Sequence, residues 1–441
     1  MQWNIVIQAG KNRKIWLRER QSYNFDHFKQ RTLLLLYNLT VQLYFIAVRI
    51  AALWNKKAKE WIGGRKNLFA SLEQKITAAD KIIWMHCSSA GEFEQGKPVI
   101  EKLKSIYPQH KILVSFFSPS GYNTATNYKY ADIITYLPLD TRKNAKRFVE
   151  ILHPDIVIFV KYEFWYHHLS AAAFKHIPLL LISAVFRENQ TFFKWYGKFY
   201  KQMLFLFRRI FVQDESSLQL LKQYGVNHCS IGGDTRFDRV KEIAGKFTDI
   251  PFINDFADGE KLIVAGSTWP GDEQLVSQHR STKLIIAPHE ISEPHLLQIE
   301  KIFGNSIRYS QWQHKKGNEK VLIIDNVGML SRLYKYAAVA YIGGGFTKDG
   351  IHNILEAAAY GKPMIFGPNY KKYREARELI ATGGAFSVEN ADQLKITIGN
   401  LLNDPAQFQK ASTQAQNYVM QNTGATKKIV QLIQENRLLT K

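Results

Sequence analysis

Several residues stand where they could do chemistry. Glu92 closes the stretch Ser89-Ala90-Gly91-Glu92 after an apolar run, before a helix expected to begin near Gly96. A carboxylate within reach of a substrate hydroxyl can serve as a general base. An acid in the first turn of a helix is also favoured by the helix dipole alone. Glu163 ends another apolar run and is followed by Phe164 and Trp165. A carboxylate there must find a partner, either an internal ion pair or a ligand. Arg236, in Gly233-Asp234-Thr235-Arg236-Phe237-Asp238, offers a bidentate fork to a carboxylate or phosphate, or is a surface arginine.

A second group lies downstream. Gly343-Gly344-Gly345 follows Val339-Ala340-Tyr341-Ile342. Glycines there let a ligand approach the backbone and leave amides for an anion. The spacing is neither the dinucleotide fingerprint nor a Walker loop. Asn353-Ile354-Leu355-Glu356 opens an expected helix, whose Glu356 can accept from ribose hydroxyls. Glycine turn plus helix-borne glutamate points to nucleotide-sugar chemistry. The thirteen histidines show no HExxH and no Cys/His cluster, so no metal site and no cofactor are expected.

These residues need elements to hold them. From residue 80, short apolar runs at 82–87, 111–117, 132–139, 155–162, 178–186, 209–214 and 229–234 alternate with amphipathic stretches such as 96–107, 142–152 and 215–224. A second series runs through 261–268, 283–290, 320–325, 339–345 and 363–368. Such runs separated by helices read as parallel α/β sheets. The sequence predicts an α/β protein of two Rossmann-like domains facing a central cleft, with a linker near 235–260. The boundaries expected are a basic N-terminal segment and anchor at 1–56 and α/β domains at 57–240 and 241–441, the C-terminal helix of the second crossing back. Ligands in such sheets lie beyond the carboxyl ends of the strands.

The 441 residues carry 59 Lys+Arg against 38 Asp+Glu, a net charge of +21. That charge calls for nucleic acid, an anionic membrane or phosphorylated substrates. The hydrophobic fraction of 46% excludes disorder as the overall state. Two cysteines, Cys87 and Cys229, exclude a disulfide scaffold and fit a reducing compartment. Residues 1–31 hold seven Lys/Arg and two acids, and Thr32 to Val48 is uncharged. Arg49 interrupts before Ile50 to Trp54. This run is expected to anchor the chain, spanning a bilayer or lying in its interface; a buried core helix is the alternative. Lys56, Lys57, Lys59, Arg65 and Lys66 would suit anionic head groups. A nucleic-acid-binding protein is the rival from another class, but no recognised binding module is present.

Taken in order, the motifs resemble those of the 3-deoxy-D-manno-octulosonic acid (Kdo) transferases of the GT-B glycosyltransferase class, family 30. The resemblance rests on Ser89 to Glu92, Ser118-Pro119-Ser120-Gly121, Glu163-Phe164-Trp165, Gly233 to Asp238 and Gly266-Ser267-Thr268 through Glu273. It continues in Gly343 to Glu356 and in Gly367-Pro368 to Arg374-Glu375, spanning about residues 30–430. It implies an inverting, metal-independent transfer of Kdo from CMP-Kdo to a tetra-acylated lipid A precursor, on the cytoplasmic side of the cell inner membrane, with no nucleic-acid partner. By it Glu92 is the general base, and Glu163 and Arg236 assist. Ser89, Gly91, Ser118, Ser120, Gly266, Ser267, Thr268, Gly344 and Gly345 fall in its substrate-binding motifs. Pro288, His289, Gly328, Met329, Leu330, Asn353, Ile354, Leu355 and Glu356 match its CMP-binding stretches. Arg236 stands where the family has Lys, His289-Glu290 where it has Arg-His, Lys161 where an acid is common, and Ile354 where it has Pro. Another GT-B enzyme using a UDP-sugar is the alternative.

Overall fold

The structure, a computed structural model, describes residues 27–279, 281–312 and 317–439. The basic segment that the sequence reading singles out at 1–31 therefore falls largely outside the described residues. The chain up to Arg236, together with Gly424 onward, forms one compact unit, and Phe237–Thr423 form another.

The first unit holds β1 (Lys81–Cys87), β2 (His110–Phe116), β3 (Ile133–Tyr136), β4 (Ile156–Val160), β5 (Leu179–Ala184), β6 (Arg209–Val212) and β7 (Cys229–Ile231). They form one parallel sheet in the order β3-β2-β1-β4-β5-β6-β7. The central strands are buried along almost their whole length, because helices cover both faces. Trp84, Phe148, Phe159 and Phe207 fill one face; Met85, Phe93, Val114 and Phe116 fill the other. Helix Ala425–Glu435 buries Ile429, Val430 and Ile433 in that second face.

The second unit holds β8 (Leu262–Thr268), β9 (Lys283–Pro288), β10 (Ser306–Arg308), β11 (Val321–Ile323), β12 (Ala337–Ile342), β13 (Met364–Phe366) and β14 (Ala385–Ser387). These strands are also all parallel, in the order β10-β11-β9-β8-β12-β13-β14. The stretch 235–260, read from sequence as a linker, contains helix Thr235–Gly245 and the short helix Ile253–Ala257.

In each sheet the strand order reverses near the centre; the second also turns back at one edge, where β11 lies between β9 and β10. The reversal lies between β1 and β4 in the first and between β8 and β12 in the second. Crevices beyond the strand ends at such switch points are where open α/β sheets bind ligands.

Helix His27–Ala51 precedes the first sheet. By length and composition its segment Thr32–Ala51 suffices to cross a membrane. It is not a buried core helix: Val41 is its one buried residue among those described, while Leu35, Leu36, Leu39, Leu43, Ile46 and Ile50 are exposed. Its other side lies on the first unit. Tyr37 Oη donates to Asp140 Oδ2 at 2.5 Å. His167 Nε2 lies 2.6 Å from Asn38 Oδ1. Tyr44 packs edge-on to Trp61.

Asp140 carries more than this contact. Helix Tyr166–Phe174 has no side-chain cap of its own. Asp140 supplies one from afar, accepting the His167 and His168 amides at 3.0 Å each and facing His168 Nδ1 at 2.5 Å. Burial pushes its carboxyl up, but His168, Tyr37 and the amides outweigh burial and hold it below the usual range.

One basic residue of the sequence reading is not available to head groups. The guanidinium of Arg65 sits 3.7 Å from the Trp61 ring and donates to the carbonyls of Trp61, Leu137 and Phe117. Lys56, Lys57, Lys59 and Lys66 are exposed.

Candidate active site

The sequence reading starts the first helix near Gly96; it starts at Ala90, and Glu92 lies in its first turn. Ser89 is the cap, and its hydroxyl accepts the Glu92 amide at 3.4 Å. Ser-x-x-Glu is a capping-box pattern. Here the glutamate reaches one residue further back: Oε2 accepts the Ser88 amide at 2.5 Å. The carboxyl is buried, at 7% exposure. Burial, then the charge of Glu163, push it up to about 7, against the pull of the Ser88 amide and Lys161. A carboxyl that titrates near neutrality can take and release a proton there. A Cβ at Gly91 would meet nothing within 4 Å, so the backbone beside Glu92 faces open space.

Glu163 follows β4 across the switch point from β1. Its Oε2 accepts Trp165 Nε1–H at 2.5 Å and lies 3.4 Å from His86 Nε2. His86 is fully buried on β1, and burial pulls its imidazole down. Its Nδ1 is 2.9 Å from Ser115 Oγ, which accepts Trp84 Nε1–H at 2.8 Å. Nδ1 also lies 3.1 Å from the Ser115 carbonyl, which only accepts. With the ring proton on Nε2, Trp84 donates to Ser115 Oγ, that hydroxyl donates to His86 Nδ1, and Nε2–H points at Glu163.

Arg236 is anchored by its own loop. Its Nε donates to Asp234 Oδ2 at 2.9 Å and its amide to Oδ1 at 2.9 Å. Gln95, from the helix that carries Glu92, donates to the same Oδ1 at 3.0 Å. Burial pushes Asp234 up, but Arg236 outweighs it and holds the carboxyl down. Ser118 caps helix Pro119–Ala125 by accepting the Gly121 amide at 3.2 Å, with Ser120 Oγ 3.3 Å away. A Cβ on Gly121 would stand 3.1 Å from Ser89 C and 3.2 Å from Ala90 N. The Ser118–Gly121 stretch is thereby seated against the Ser89–Glu92 turn.

In the second unit the glycine turn does something other than expected. The Gly344 amide donates to Asp272 Oδ2 at 2.8 Å and the Gly343 amide to the Gly266 carbonyl at 2.9 Å. Neither is left for an anion. A Cβ on Gly343 would lie 2.1 Å from Ser267 O, and one on Gly345 2.4 Å from Gly367 N. These glycines serve close backbone packing. Buried Asp272 also accepts from Tyr341 Oη at 2.9 Å and the Trp269 amide at 3.0 Å, tying the ends of β8 and β12 together. Thr268 is held inside the unit, donating to buried Glu273 at 2.9 Å. Ser267 adopts a left-handed φ of 54°.

The Gly328-Met329-Leu330 stretch meets Gly266, whose absent Cβ would collide with Leu330 and the Tyr334 hydroxyl. Burial raises the Tyr334 phenol, and the charge of Glu356 adds to it. Gly266, Leu330, Tyr334 and Glu356 thus share one corner. Asn353 Nδ2 donates to Glu356 Oε1 at 2.9 Å. The helix expected from Asn353 is shorter, Leu355–Ala359, with Ile354 as its cap. Its amino end is too brief to carry the anion site expected of it.

His289, at the end of β9 after Pro288, lies flat over two other rings. Its centroid is 4.8 Å from Trp269 and 4.4 Å from His352. Trp269 Nε1–H donates to His352 Nε2 at 3.0 Å, making an edge-to-edge pair beneath it. Burial, then His289, pull His352 down to about 4, so it is neutral near pH 7.

Residues 62–239 match the family described as 3-Deoxy-D-manno-octulosonic-acid transferase (kdotransferase). A 3-deoxy-D-manno-octulosonic acid transferase from Aquifex aeolicus is 28% identical over 330 residues, covering 73% of this chain and 86% of its own. One from Rickettsia typhi is 25% identical over 362 residues, covering 78% and 76%. The family match at 62–239 and relatives aligned along most of the chain both support the Kdo transferase family. Its fold is similar to that of UDP-GlcNAc 2-epimerase from Neisseria meningitidis, with a TM-score of 0.57 at 16% identity over 80% of this chain and all of that one.

These matches support a glycosyltransferase, and the fold is a GT-B-class pair of parallel α/β units. Each unit carries its own cluster of motif residues at its switch point. In the first, Ser89, Gly91, Glu92, Ser118 and Ser120 come together, with Glu163 across the β1–β4 boundary. In the second, Gly266, Leu330 and Glu356 come together, and His289 joins His352 and Trp269. Sequence reasoning missed His86, a buried histidine in an apolar strand with no local signal. It missed the ring platform too, whose members lie 20 and 63 residues apart.

Proposed function

We propose that this Kdo transferase moves Kdo from CMP-Kdo to a lipid A precursor with inversion, using Glu92 as the base. The carrying observation is the Glu92 carboxyl: buried, at the switch point, and raised to about 7. Relatives named Kdo transferases supply the sugar. In the reaction the acceptor hydroxyl oxygen attacks the anomeric carbon opposite the CMP. The bond from that carbon to the CMP oxygen breaks, CMP leaves with the electron pair, and the hydroxyl proton passes to Glu92. Glu163 keeps that carboxyl high by its charge. Arg236, its fork fixed by Asp234, meets the anionic donor. On the donor side Glu356 accepts from ribose, Gly328 to Leu330 line the base, and His289 faces the phosphate.

Helix His27–Ala51 holds the enzyme at the cytoplasmic face of the inner membrane, where CMP-sugars are made. Its attachment along the first unit and its exposed leucine stripe favour lying in the interface over spanning. The deciding experiment incubates purified protein with CMP-Kdo and a tetra-acylated lipid A precursor and weighs the product. Addition of one or more Kdo masses is expected; no addition from CMP-Kdo, with addition from a UDP-sugar, would overturn the reading.

A further inference from the structure

A groove of about 520 Å³ runs between helices Arg142–Leu152 and Tyr166–Phe174, with Leu34 of helix His27–Ala51 at one wall. It lies within the first unit and shares no residue with the site around Glu92. Its volume falls in the range of small-molecule sites. Val149, Tyr166 and Ala171 line it, and Phe174 stands 80% exposed on it. Its charged residues are Arg142, Lys146 and Lys175 against the single acid Glu150. Glu150 is 3.9 Å from Lys146, so the remaining charge is positive.

We infer that this groove binds an anionic phospholipid of the bilayer, its acyl chain against Leu34, Val149 and Phe174 and its phosphate on Arg142, Lys146 and Lys175. Two observations select that occupant. A cavity that is apolar within and basic at its edge matches a ligand with one apolar and one anionic end. The groove is also continuous with the membrane-suited helix, for Leu34 adjoins the exposed pair Leu35 and Leu36. The chain's own first 26 residues are a poor match, with five Lys/Arg and two acids.

The test uses the full chain in detergent, with phosphatidylglycerol or phosphatidylcholine added, and native mass spectrometry to count retained lipid. Retention of phosphatidylglycerol over phosphatidylcholine is expected. Ser170→Trp, which fills the groove, should lower it about tenfold, as should Lys146→Glu with Lys175→Glu. Lys102→Glu, on an exposed helix face elsewhere in the unit, is the charge control and should retain lipid normally. Transfer activity in detergent, unchanged in these variants, reports that they fold. Equal retention of the two lipids, or undiminished retention in both groove variants, overturns the inference. So does displacement of phosphatidylglycerol by the tetra-acylated precursor, which would make the groove an acceptor site, or retention that appears only when residues 1–26 are removed.

Discussion

Nε2 of His86 lies 3.4 Å from Oε2 of Glu163, across the boundary between β1 and β4. The histidine has no exposure, so this contact and Trp165 set where the Glu163 charge sits. That charge is the second cause, after burial, of the raised Glu92 carboxyl. Glu163→Gln should therefore move the acidic limb of the pH–rate profile below 7, separately from any loss of rate. The profile of kcat/KM for wild type and variant checks it. An unmoved limb would disconnect the two carboxylates.

Glu92→Gln should lower transfer by about 10²–10⁴-fold. The amide oxygen can still accept the Ser88 N–H, so the turn should survive. The sign of the stability change separates catalysis from helix capping. A carboxyl raised in the folded state stabilises that state most below its unfolded value of ~4.3, and the benefit is lost as pH rises through about 7. At pH 8 the charged Glu92 costs stability, and the variant should melt no lower than wild type. A mere helix-dipole carboxylate would instead show near-normal turnover and a loss of ~0.3–1 kcal/mol.

Transfer should survive EDTA. Among the described residues no three His, Cys, Asp or Glu side chains gather where they could hold a metal ion. A strict divalent requirement for the transfer step, with donor synthesis and lipid dispersal controlled, would count against the proposed mechanism.

Tyr37→Phe removes the hydroxyl that donates to Asp140 and accepts the Tyr166 amide at 3.2 Å. The loss should be about 1–3 kcal/mol, read from thermal or denaturant melting. Deleting the whole helix should cost more, because Leu33, Leu34 and Tyr37 pack on the core. Melting of the deletion equal to wild type would show that the helix only rests on the unit. The Asp140 carboxyl is held low, so its contribution is present above ~3.9 and is lost as pH falls through its folded value.

Apolar runs made the sheets legible: twelve of the fourteen strands correspond to runs read from sequence. The two without one are the edge strands Ser306–Arg308, in which Ile307 stands alone between polar residues, and Ala385–Ser387, which follows Gly383-Gly384. The run 132–139 outlasts its strand, Ile133–Tyr136, because Pro138 lacks the N–H to continue a ladder. The helix of Glu92 starts at Ala90, six residues before the expected Gly96, because Ser89 caps it there. Gly96 is tolerated because it faces Met85, where a Cβ would lie 2.7 Å from the sulfur. Strand-end residues were legible because parallel sheets put them on one edge. Their partners were not: Asp140 serves a helix 27 residues on, and the glycine amides of 343 and 344 meet carbonyl and carboxylate groups more than 70 residues away.

Helix Ala425–Glu435 belongs to the unit that begins the chain, and this sets an order of events at synthesis. Every residue of Phe237–Thr423 is synthesised before helix Ala425–Glu435, so the second unit has its full sequence first. The first unit has by then exposed the places meant for Ile429, Val430, Ile433, Leu438 and Leu439. The half of the protein that emerges first is thus the half that finishes last. A stop codon at Ala425 would injure the first sheet and spare the second.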